Sequence, residues 1–97
     1  MYVILTSKPG KFRTELVEGL RPVAAFDYVF CGRKLAGFVI AELSGEVRLR
    51  VIDEAEPPLV NDVPSKFLQK FVTVEAAMAE LRTLTAFGRM DARLCPR

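Results

Sequence analysis

Residues 24–54 constrain the fold more than any other part of the chain. Ala24 to Cys31 places aromatics at every second position, Phe26, Tyr28 and Phe30. Period-two alternation of this kind is the pattern of a strand. Lys34 to Leu43 is nearly all apolar (Leu35, Phe38, Val39, Ile40), which suits a strand buried on both faces. Glu46 to Glu54 alternates again, with Val47, Leu49 and Val51 against Arg48, Arg50 and Ile52. Gly32-Arg33 puts glycine first in a two-residue loop, as a type II′ turn requires, and Ser44-Gly45 offers a second short loop. Three strands with two tight loops predict an antiparallel β-meander.

The loops set the register, because a slip of one residue turns every side chain to the other face. Pairing Cys31 with Lys34 and Leu43 with Glu46 predicts one face made of Asp27, Phe38, Ile40, Leu49 and their apolar neighbours. The opposite face then holds Phe26, Tyr28, Phe30, Val39, Arg48 and Arg50. Both faces are too apolar to lie bare in water, so each needs a cover.

The flanking segments fill in the rest. Tyr2 to Thr6 reads as a fourth, N-terminal strand, closed by a turn at Ser7-Lys8-Pro9-Gly10-Lys11. Phe12 to Glu18 is ambiguous: Glu15, Leu16 and Glu18 favour a short helix or irregular segment, to which the reading leans, the Pro9-Gly10 turn favours a returning strand, and Arg21-Pro22 breaks whatever precedes it. Residues 56–62 form a proline-stiffened connector around Pro57-Pro58. Pro64 to Phe71 spaces Phe67, Leu68 and Phe71 as a short helix would. Thr73 is placed to cap a longer helix through Phe87, with an apolar stripe of Val74, Ala77, Met78, Leu81 and Leu84, and Gly88 as its stop. The last nine residues show no pattern. The expected fold is α+β: an antiparallel meander plus an N-terminal strand, covered by one short and one longer C-terminal helix. Residues 1–97 form a single domain in this reading, with 1–55 mainly sheet, 63–88 helical and 89–97 a tail.

Composition narrows the function. The chain has 97 residues, 51% of them hydrophobic, and a formal net charge of +2. That charge is too small to imply nucleic acid by itself. Excess apolar surface in so small a domain points to a partner or a second copy. No run approaches the length of a membrane span, and the N-terminal apolar run is too short for a signal peptide, so a cytoplasmic location is expected. Histidine is absent, which removes the commonest general base and metal ligand. Cys31 and Cys95 are isolated, so one chain offers no cysteine cluster for iron–sulfur or zinc. No cofactor, metal or catalytic group is expected.

Four features are candidate sites. Phe26, Tyr28, Phe30, Val39, Arg48 and Arg50 form a candidate interaction surface, since aromatics and arginine most often anchor interfaces. The same face could stack single-stranded nucleic acid, as an alternative. Cys31 beside Arg33 and Lys34 is a candidate reactive thiol, against the plain reading of a small residue ending a strand. Asp27 on an apolar face must find a partner such as Arg33 or a helix lysine, or line a small pocket as a base, which would make the chain a small enzyme. Asp53, Glu54 and Glu56 read as a solvated strand end. Lys8, Lys11, Arg33 and Lys34 form a possible basic patch, with the Lys8-Pro9-Gly10-Lys11 turn able to hold a phosphate. The leading expectation is a non-enzymatic accessory or regulatory protein, homo-oligomeric and acting through protein contact.

Overall fold

The computed structural model describes residues 1–30, 32–54, 57–85 and 92–97. In chain order the elements are β1 (Tyr2–Ser7), β2 (Phe12–Glu15), β3 (Leu20–Phe30), β4 (Arg33–Leu43), β5 (Arg48–Asp53), β6 (Leu59–Pro64), a 3₁₀ turn (Ser65–Phe67), α1 (Val74–Thr85) and β7 (Ala92–Pro96). The strands form two antiparallel sheets, one of order β1-β4-β3-β7 and one of order β2-β5-β6. The described residues are therefore mostly strand with one α-helix, and the expected sheet with a short and a long helical cover is corrected.

The β3–β4 hairpin forms as the alternating pattern predicts, but its register differs. Phe26 lies opposite Phe38 and Tyr28 opposite Ala36, with a bulge between Tyr28 and Val29. Arg33 is already in β4, opposite Phe30, and Gly32 adopts a φ of 74° in the loop. Glycine thus supplies the left-handed conformation one position later in the loop than expected. The shift turns the aromatics of β3 to the other face of the sheet.

The third strand of the meander does not follow. Strand β5 leaves β4 and pairs with β2 and β6 in the second sheet. Two corrections go with this. Phe12–Glu15 is a strand, not helix or irregular chain, because it supplies the other neighbour of β5. The proline-stiffened connector becomes β6, whose prolines Pro57 and Pro58 precede the strand and so remove none of its ladder donors. Pro22 sits inside β3 rather than breaking the chain. A register shift lies beside it, and β7 pairs only with Phe26 to Phe30, so no ladder donor is needed there.

The short helix is reduced to one 3₁₀ turn because the segment is pinned at both ends. The Ser65 amide donates to Val47 O at 2.8 Å, and Ser65 Oγ accepts from Val47 N at 2.9 Å. Phe71 exchanges both backbone hydrogen bonds with Tyr2, each 2.8 Å. The longer helix is present, and Thr73 caps it: Ala76 N donates to Thr73 Oγ1 at 3.0 Å. Gly88 and Phe87 lie outside the described residues. The patternless tail contains β7, held on β3 by main-chain pairing.

The four-stranded sheet is covered on both faces. On one, α1 sets Ala77 and Leu81 against Ala36, Phe38, Ile40 and Phe71, with Phe26, Tyr28 and Leu94 packed alongside. On the other, Val3, Leu5, Leu20, Ala41 and Leu43 pack against Leu49 of the second sheet, with Val39 and Val63 adjoining. Burying an aliphatic side chain of this size contributes roughly 1.5–3 kcal/mol, so these two layers hold the fold together.

Candidate functional site

The six residues of the expected interaction surface do not share a face. Phe26 and Tyr28 lie under α1, while Val39 points to the opposite face of the same sheet, toward Leu49. Phe30 closes the β3–β4 hairpin opposite Arg33. Arg48 and Arg50 belong to β5 in the second sheet, and Arg50 Nη1 lies 3.8 Å from Glu15 Oε1. The register slip and the transfer of β5 are the physical reasons. Phe26 and Tyr28 are partly buried and pack against the apolar cluster that includes Ala77 and Leu81 of α1.

The basic patch is partly assembled. Lys8 and Lys11 are exposed in the β1–β2 turn, where Lys11 N and Phe12 N donate to Lys8 O at 3.0 and 3.1 Å. Arg33 sits at the hairpin end, opposite Phe30. Lys34 is different. The bulge beside it breaks the alternation, and Lys34 Nζ comes within 3.1 Å of Asp27 Oδ1. Arg97 Nε stands at the same 3.1 Å from that oxygen. The partner of Asp27 is therefore not Arg33 or a helix lysine. Oδ1 is buried and its contacts lack hydrogen-bond geometry, so the attraction is one of charge alone.

Gly37, opposite Asp27, permits this arrangement. A Cβ there would meet Arg97 Nη2 at 3.2 Å and Lys34 Nζ at 3.8 Å, so glycine lets both cations lie flat on the sheet. Arg97 Nη2 also donates to Phe26 O and Phe38 O, at 3.4 and 3.3 Å. Cys95 faces Asp27 across β3 and β7 and is a half-buried free thiol. Cys31 and Glu56 lie outside the described residues. Asp53 ends β5, and Glu54 lines a groove of about 310 Å³ with Ser7, Gly10, Arg13, Lys34 and Gly37. Among the described residues no three potential ligands cluster to hold a metal ion.

A second, apolar groove of about 200 Å³ runs beside α1. Ile4, Thr6, Leu68, Phe71, Glu80 and Leu84 line it. The segment that forms its wall carries the most exposed large apolar residues of the structure, Phe67 at 72% and Val72 at 74%, and Leu84 is 53% exposed. Lys66 Nζ lies 5.4 Å from the centre of the Phe67 ring, and Lys70 Nζ donates to Ser65 O at 3.1 Å. Nothing in the sequence signalled this groove, because Phe67 and Leu84 read as members of buried helical stripes.

The shortest ion pair lies elsewhere. Arg21 Nη2 and Nε donate to Glu42 Oε1 at 2.7 and 3.2 Å. The hydrogen bonds from Arg21, and then its charge, hold the Glu42 carboxyl below the usual carboxylate range. This pair is exposed and joins β3 to β4, which is a structural role. No helix among the described residues is long and apolar enough to cross a membrane. Comparison with protein-family models, with curated proteins and with solved structures finds no match for this chain.

Proposed function

We propose that the chain is a non-enzymatic accessory protein that acts by binding another protein, and that it does so through the apolar groove beside α1. The observation that supports this reading is the exposure of Leu84, which lines the groove with Ile4 and Phe71, and of Phe67 and Val72 in the segment that contributes Leu68 and Phe71 to it. Large apolar side chains grouped on a small domain mark an interaction surface. Aromatic anchors such as Phe67 are the side chains whose burial contributes most at such surfaces.

The partner that fits is an apolar segment carrying carboxylates. Lys66 and Lys70, both exposed, bracket Phe67 and Leu68, so acidic groups on the partner would be drawn to the groove. The test compares wild-type protein with Phe67→Glu and Leu84→Glu variants as bait in a host lysate. Both positions are exposed, so the fold survives, as circular dichroism would verify. A protein captured by the wild type should be lost from both variants, with a binding deficit of about 2 kcal/mol or more for a central anchor. Capture of the same proteins by bait and variants alike would overturn the assignment. So would a wild-type dimer that Phe67→Glu dissociates, which would give the surface to a second copy.

A further inference from the structure

We propose that the groove between the β1–β2 turn and the Asp27 end of the four-stranded sheet binds a small phosphate-type oxyanion. This site lies apart from the apolar groove and does not depend on the reading given for it. Three properties converge there. The first is surplus positive charge. Lys34 and Arg97 share a single carboxylate oxygen, Asp27 Oδ1, each at 3.1 Å. The Asp27 side chain offsets one of these two side-chain cations, and Arg13 adds a further cation to the groove lining. Glu54 is the one carboxylate among the described lining residues, and it reduces this surplus. Lys8 and Lys11, exposed in the adjoining turn, extend the positive field outward.

The second property is a set of donors. An ammonium group has three N–H bonds, and Asp27 takes up one side of Lys34. Ser7 Oγ accepts from Thr14 N at 3.0 Å, which orients the hydroxyl and leaves its own proton to donate into the groove. Cationic and hydroxyl donors around one space suit a ligand that is all acceptor, and charge-assisted bonds of this kind are the stronger ones. The third property is the floor. Gly37 lets Lys34 and Arg97 lie close against the sheet, and the groove has a volume of about 310 Å³, room for a tetrahedral oxyanion and part of the molecule bearing it.

The test uses inorganic phosphate as probe. The full chain, labelled with ¹⁵N, is titrated at low ionic strength, with sodium chloride at matched ionic strength as the control. The expected result is saturable movement of the Ser7, Gly10 and Gly37 amide signals with phosphate and not with chloride. Lys34→Gln and, independently, Arg13→Gln should each weaken binding about tenfold, the loss of one charge-assisted contact. Arg13 is exposed, so its variant keeps the proposal testable even if Lys34→Gln loosens the sheet edge. Equal shifts with chloride, shifts that never saturate, or binding unchanged in both variants would overturn it.

Discussion

The face of the four-stranded sheet turned toward β2, β5 and β6 has two unlike ends. At the Leu43 end, Ala41, Leu43, Val3 and Leu5 meet Leu49 and are almost fully buried. At the Asp27 end β3 and β4 present Asp27, Gly37 and Lys34, and Arg97, which follows β7, joins them through charge and backbone carbonyls. The strands, the twist and the alternation are shared. What differs is the cover, since the apolar cluster between the sheets ends at Val39. Where a second layer seals the face, only aliphatics are stable. Where it stops, a carboxylate and two cations lie on the sheet while keeping partial contact with water, which is the condition under which they can serve a ligand.

Breaking the sealed end should cost most. Leu49 is 2% exposed and is the second sheet's main contribution to the shared core. Leu49→Ala should lower stability by about 2–5 kcal/mol, read from urea unfolding. A loss below 1 kcal/mol would mean that the two sheets are not joined through this contact. Next comes Ser65, fully buried, whose Oγ is the acceptor for Val47 N. Ser65→Ala should cost about 1–3 kcal/mol, because the half-buried Val47 amide loses its acceptor. Retention of full stability would show that the pin between β5 and the 3₁₀ turn is dispensable.

The open end should respond locally instead. Gly37→Ala pushes on Arg97 Nη2, which must move by a few tenths of an ångström and weaken its bonds to Phe26 O and Phe38 O. The expected effect is about 0.5–1.5 kcal/mol. Faster hydrogen exchange of the Cys95 amide in β7, with the Leu49 amide unchanged, would separate local opening from global loss. Equal acceleration at both would erase the contrast between the two ends.

How much of this was legible in the sequence follows the same division. Local signals held. The alternation of Phe26, Tyr28 and Phe30 marks β3, and Thr73 marks the start of α1 through the bond it makes. Choices that depend on distant partners were not legible. Ser44-Gly45 is chemically suited to a hairpin, yet β5 finds β2 and β6, a preference decided by burial of Leu49 between sheets. The hairpin register turns on one loop residue and one bulge, neither of which has a sequence signature here. Of the basic groove, Lys34 and the Pro9-Gly10 turn were visible as separate features. Ser7, Arg13 and Arg97 were not, because their relevance comes only from the approach of β2 and β7.

The smallest predicted effect tests charge without burial. Arg21 and Glu42 join β3 to β4 in the open, with side-chain exposures of 71% and 38%. Exposed pairs of this kind contribute little to stability, so the informative readout is titration. Hydrogen bonds from Arg21, then its charge, hold the folded Glu42 below its ordinary value of 4.5. A carboxyl depressed on folding stabilises the native state above its unfolded pKa. That contribution fades as pH falls from about 4.5 through the lower folded value. Arg21→Gln removes the cause, so the Glu42 carboxyl signal should titrate at higher pH in the variant, while the midpoint of urea unfolding at neutral pH barely moves. An unchanged Glu42 titration would mean that another group sets it, the N-terminal ammonium being the next cation that acts on it. The same variant leaves Lys34 and Arg97 on Asp27, so phosphate binding in the groove should not change with it. A change there would show that charge at one end of the sheet reaches the other, and the two ends would no longer be independent.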